Sequence, residues 1–182
     1  MSRVQLIDAT SASPDRRALL APIQSAFGST PAMFRAVANS PAALKSLWAA
    51  FGALGSGVIP AKLGEQIAVA VADRNACEYC LAAHTALGRK AGASADEMSA
   101  AQMGESSDPR TAAALRFALK LVDQRGQVAD GDVLALRSAG FDDEAIVEIL
   151  AHVALNLFTN YVNVAFAVPV DFPAVPLRRA AR

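Results

Sequence analysis

From Gly64 to His84 the chain reads GEQIAVAVADRNACEYCLAAH. Its first half, Ile67 to Ala72, is apolar all round, the composition of a helix buried on every side. A short polar turn, Asp73-Arg74-Asn75, follows. The second half then spaces Cys77, Cys80 and His84 by three and four residues, so that all three project from one face of a second helix. Helices joined by so short a turn run antiparallel, and pairing about the turn sets Glu65 opposite His84 to within about one helical turn. A glutamate entering so apolar a helix needs a partner, and that imidazole is the best candidate.

Helical signals recur outward from this stretch. A capping residue followed by proline at the first helical position stands at Ser13-Pro14, Thr30-Pro31, Ser40-Pro41 and Asp108-Pro109, and Pro60 plays the same role. Asn75 with Glu78 and Ser94 with Glu97 read as capping boxes. The spacing predicts helices over 14–26, 31–39, 41–54, 60–73, 76–91, 95–102, 109–126, 130–138 and 142–167, an all-α bundle. The connections at 55–57 and 104–107 are too short to separate distinct cores, so residues 1–182 are expected to form a single domain with its core at about 40–167. Proline and arginine dominate 168–182, which suits an extended tail lying on a neighbouring subunit or in solvent.

The 182 residues carry 17 Lys+Arg against 17 Asp+Glu, a net charge of zero, and 53% are hydrophobic. A neutral chain lacks the basic face that displaces counterions from phosphates, which argues against nucleic acid and against an anionic membrane surface as partners. Much of the hydrophobic fraction is alanine, with no run of about 20 consecutive apolar residues to span a membrane. The first eight residues contain an acid and no apolar stretch of signal-peptide length. These features place the chain in the cytoplasm, where two cysteines are expected to do chemistry or bind metal rather than staple a fold.

With Asn75 as the cap, Cys77 takes the second helical position and Cys80 the fifth. The helix dipole then favours thiolate most at Cys77, whereas proximity to His84 favours it at Cys80. A second cysteine three residues away can trap the first oxidation product as a disulfide. Glu65 can hold one imidazole nitrogen and set the tautomer of His84. Cys77, Cys80, His84 and His152 could also supply four zinc ligands, and the pair could simply be two small buried side chains. Tyr79 reads as packing. His152, Asn156, Asn160 and Asn163 form a polar stripe along the last helix, which suits a pocket, a subunit interface or a solvent face. Trp48, Phe51, Phe117, Phe158 and Phe166 read as core or interface, and Phe27 and Phe34 as flanks of the thiol site.

Glu65, then Cys77-Glu78-Tyr79-Cys80, then His84 resembles the signature of the alkylhydroperoxidase D-like, peroxidase-related branch of the carboxymuconolactone decarboxylase family. The resemblance implies a small helical subunit, assembled as a homo-oligomer (dimer, trimer or hexamer), that reduces hydroperoxides in antioxidant defence. It implies attack by Cys80, resolution by Cys77, a proton relay through Glu65 and His84, and reduction by an external dithiol of thioredoxin or lipoyl type. No metal or cofactor is required by that scheme. The histidine that the family's namesake peroxidase carries between its cysteines is Tyr79 here. Two rival readings are a carboxymuconolactone decarboxylase-like enzyme in which the cysteines are incidental, and a non-enzymatic thiol-disulfide sensor or oligomeric interaction protein.

Overall fold

The computed structural model describes residues 2–178, and among them every regular element is helical. In chain order these are α1 (Pro14–Phe27), α2 (Ala32–Val37), α3 (Pro41–Leu54), α4 (Ala61–Arg74), α5 (Glu78–Lys90), α6 (Ala95–Gln102), α7 (Pro109–Asp123), α8 (Asp130–Ser138) and α9 (Asp143–Ala165). Each matches an expected helix, with ends displaced by a few residues. Helix α4 is the hub. Its residues from Gln66 to Asp73 are all buried, and α5, α6, α7 and α9 pack around it, as an all-round apolar helix requires.

Several caps work as the sequence suggests. Ser40 Oγ accepts from Ala43 N, Asp108 Oδ2 accepts from Thr111 N, and Ser94 with Glu97 closes a reciprocal box. Pro31 and Pro60 sit one place earlier than expected, as the N-cap residues themselves.

Asn75 departs from its expected role. It ends α4 instead of capping α5, and the N-cap of α5 is Cys77. The reason lies in the backbone: Ala76 adopts the left-handed conformation, φ 52°. This allows Cys77 N to bond Ala72 O and Ala76 N to bond Asp73 O, a Schellman closure of α4. The side chain of Asn75 is thereby turned to α9, donating to Asn160 Oδ1 at 2.9 Å. Cys80 consequently stands at the third helical position and not the fifth.

The tail departs from its expected place too, because it lies on its own chain. Asp171 Oδ2 accepts from Ala32 N at 2.7 Å at the start of α2, and the Phe172 ring stands edge-on to Tyr79 at 5.6 Å. Gln102 Nε2 donates to both Asp73 Oδ1 and Pro176 O, and Arg178 N also bonds Asp73 Oδ1. The last four residues of the expected tail, 179–182, lie outside the described residues.

Helix α9 is long and apolar enough, by length and composition, to cross a membrane, because no formal charge interrupts it after Glu148. In the fold, however, its polar stripe faces inward: Asn156, Asn160 and Asn163 are buried against the bundle.

Candidate active site

Antiparallel pairing of α4 and α5 brings Glu65 and His84 together, with Glu65 Oε2 2.7 Å from His84 Nδ1. Burial pushes the His84 imidazole towards its neutral form, but the adjacent Glu65 carboxylate outweighs burial and raises its pKa above the usual histidine value. The ring is therefore held by one nitrogen and carries a proton readily.

One turn back on α5, the two cysteines are free thiols, 1% and 2% exposed. Cys80 N donates to Cys77 Sγ at 3.3 Å, so the N-cap role that is usually given to Ser or Asp falls to a sulfur. Asn163 Nδ2, arriving from α9, donates to Cys80 Sγ at 3.1 Å. The two thiols are driven apart in acidity. At Cys80 burial favours the protonated form. It is overcome by the Cys77 thiol, by the His84 charge and by the Asn163 hydrogen bond, which bring the pKa down to about 6. Cys77 moves the other way, because its proton is held on Cys80 and burial adds to the effect. Of the two thiols, Cys80 is the one whose surroundings favour the thiolate.

Cys80 opens into a small apolar chamber of about 40 Å³ walled by Phe27, Phe34, Met33, Tyr79 and Phe172. Phe27 and Phe34 thus flank the thiol as expected. A wider cavity of about 250 Å³ adjoins it, sharing Phe27, Phe51, His84, Leu87 and Thr159 and reaching Glu65 and His152. Burial holds His152 below the usual histidine pKa. Its ring fits because position 64 is glycine, where a Cβ would stand 3.2 Å from His152 Cε1.

Tyr79 is buried, as a packing residue would be, but its hydroxyl also accepts from Met33 N at 3.3 Å. Burial and the neighbouring Asp171 carboxylate keep its phenol protonated. Among the described residues no group of three or more His, Cys, Asp or Glu side chains is placed to hold a metal ion, so the four-ligand zinc arrangement does not assemble. Sequence reasoning missed two contributors. Asn163 was visible only as one member of a stripe without a role, and Phe172 lay in a segment with no periodic signal.

Residues 41–124 match the carboxymuconolactone decarboxylase family. Comparison with curated proteins gives no match. Among solved structures, the chain is similar to an uncharacterized peroxidase-related protein from Silicibacter sp. TM1040, with 26% identity over 92% of this chain and 91% of that one and a TM-score of 0.80. It is also similar to a peroxidase-related protein with an alkylhydroperoxidase AhpD core from Ralstonia eutropha JMP134, with 28% identity, coverage of 93% and 92%, and a TM-score of 0.83. The debrominase Bmp8 in complex with 2,3,4-tribromopyrrole shares the fold at 20% identity, covering 94% of each chain with a TM-score of 0.79.

Proposed function

Because the chain belongs to the carboxymuconolactone decarboxylase family as an AhpD-like protein, we propose that it is a thiol-dependent peroxidase that reduces organic hydroperoxides. The observation that carries this reading is the pairing of an acidified Cys80 thiol with a Glu65-held His84 at the wall of one apolar chamber.

The Cys80 thiolate attacks the peroxide oxygen, and the O–O bond breaks. Peroxide bonds are cleaved more easily when the departing alkoxide is protonated in the same step, and His84 supplies that proton while Glu65 stabilises the charged imidazolium. The product at Cys80 is sulfenic acid. The Cys77 thiol then attacks its sulfur, water departs, and a Cys77–Cys80 disulfide remains for an external dithiol to reduce. The small chamber accepts the peroxide end, and the adjoining cavity has room for an organic body. Apart from the Cys80 thiolate and the relay histidine, no charged side chain lines the small chamber, which favours uncharged substrates.

A homo-oligomer in the cytoplasm suits this role. Val147, Leu150 and Tyr161 leave an apolar face of α9 exposed, of the kind that subunit contacts cover. A reading in which the cysteines are incidental leaves the donor set on Cys80 Sγ without a purpose.

Turnover of an organic hydroperoxide coupled to dithiol consumption tests the proposal. Cys80→Ser and Cys77→Ser should each abolish turnover, with Cys77→Ser accumulating sulfenic acid at Cys80 after one equivalent of peroxide. Full activity in the doubly substituted protein would overturn it.

A further inference from the structure

Two residues in the wall of the wider cavity, about 250 Å³, carry polar atoms that the chain leaves without a partner. His152 and Asn156 stand one turn apart on α9 and both line it. Asn156 is 5% exposed, and its Nδ2 donates to His152 O at 2.9 Å. That bond decides which end of the amide is oxygen, and this oxygen, Oδ1, is buried with no donor to it. His152 Nε2 is buried without a partner as well. A polar atom in this position has given up water and received nothing in exchange. Two of them at one cavity call for an occupant that supplies the missing bonds.

The rest of the lining narrows that occupant. Glu65 and His84 are bonded to each other, and Thr159 Oγ1 donates to the carbonyl of Asn156. Phe27, Phe51, Leu54, Ile59, Leu87 and Leu155 make most of the remaining wall, as in a site for a largely apolar molecule. An anion gains nothing from His152, which burial keeps neutral, and Glu65 already holds the charge of His84. A cation must shed its water to enter so apolar a space. A carbonyl only accepts, so it leaves Asn156 Oδ1 unsatisfied. A hydroxyl donates and accepts, and one such group can give its proton to Asn156 Oδ1 while its oxygen accepts from His152 Nε2–H.

We propose that this cavity selects organic molecules that carry a hydroxyl group, held between Asn156 Oδ1 as acceptor and His152 Nε2 as donor. The cavity and the Cys80 chamber share Phe27, Phe51 and His84, so a substrate that straddles them has its hydroxyl at the end remote from its peroxide. His152 and Asn156 are thus specificity-determining residues. The inference rests on the peroxidase reading for the chemistry at Cys80 but not for the binding. Gly64, also in the lining, gives the His152 ring its room.

The test measures binding with no peroxide present. Benzyl alcohol, toluene, benzoate and benzylamine share one ring and differ in the group it carries. Titrated into the full chain by calorimetry, benzyl alcohol should bind about fivefold more tightly than toluene, the effect of about one net hydrogen bond. Benzoate and benzylamine should bind more weakly than either. The chain has only two histidines, so imidazole nitrogen shifts in a labelled protein report the site directly. Benzyl alcohol should move the His152 Nε2 signal, and toluene should leave it in place. His152→Phe and Asn156→Leu should each bring the two affinities together. Equal affinities for benzyl alcohol and toluene in the native chain, a stationary His152 signal, or a preference for benzoate or benzylamine overturns the proposal, and none of these readings needs a variant to fold. In a kinetic arm with saturating dithiol, the para-hydroxymethyl derivative of cumene hydroperoxide should show a KM about fivefold below that of cumene hydroperoxide itself. Equal KM values also overturn the proposal. No turnover of either peroxide, with the preference for benzyl alcohol intact, counts against the peroxidase reading alone.

Discussion

At the sulfur of Cys80, burial and hydrogen bonding oppose each other, and hydrogen bonding wins. The donor that arrives from farthest away in sequence is Asn163, 83 residues on. Replacing it with leucine keeps much of the volume but removes the N–H, and a hydrogen bond to a charged group contributes about 1.5–3 kcal/mol. Each 1.36 kcal/mol moves a pKa by about one unit, so Asn163→Leu should raise the Cys80 pKa by about one unit, allowing for the weaker acceptor strength of sulfur. The measurement is the rate of iodoacetamide alkylation against pH. A thiol with a depressed pKa is ionised above it and protonates as pH falls through it. The native profile should therefore plateau above a midpoint near 6 and fall tenfold per unit below it, and the variant's midpoint should lie about one unit higher. Glu65, Cys77, Cys80 and His84 were legible because two neighbouring helices carry them at helical spacing. Asn163 was not, since an asparagine in an apolar helix signals burial without naming the atom it meets.

The corner between α4 and α5 shows how local rules can be right in kind and misplaced by two residues. Asparagine is a good N-cap, and reading Asn75 as one follows from propensity. The chain instead spends a left-handed alanine at position 76 to make Cys77 both the end of the Schellman closure and the cap of α5. No alanine advertises φ above zero, because that conformation costs a residue with a Cβ about 1–2 kcal/mol. Glycine avoids that strain and loses about 0.5–1 kcal/mol through its freer unfolded state. Ala76→Gly should accordingly raise stability by about 0.5–1 kcal/mol, read as a higher urea midpoint with an unchanged slope. The helices themselves were legible throughout, since apolar periodicity and proline-marked starts are local properties.

Across the whole molecule, the ends of the chain complete what its middle begins. Arg3 N bonds Phe166 O at 2.7 Å, and the Arg3 guanidinium reaches Ala165 O, closing carbonyls at the end of α9. The tail crosses α2 and α5 to place Phe172 in the chamber wall. An edge-to-face aromatic pair contributes about 1 kcal/mol, so Phe172→Ala should raise KM for an organic hydroperoxide about fivefold with kcat little changed, measured by steady-state kinetics with saturating dithiol. A larger loss of kcat would place Phe172 closer to the chemistry than a wall residue. Composition suggested an extended segment here but could not say what it lay on, because its anchors are Asp73, Gln102 and Ala32, single contacts without periodicity.

Dependence on the last helix has a consequence for synthesis. Ribosomes deliver α5 with both cysteines long before α9 brings Asn163 to them, and the Phe172 roof emerges later still. Until then the pair has its histidine and its neighbouring thiol but lacks the Asn163 donor and the chamber wall. The surroundings of the pair are thus completed only at the end of translation, so a nascent or truncated chain carries the motif without its finished pocket.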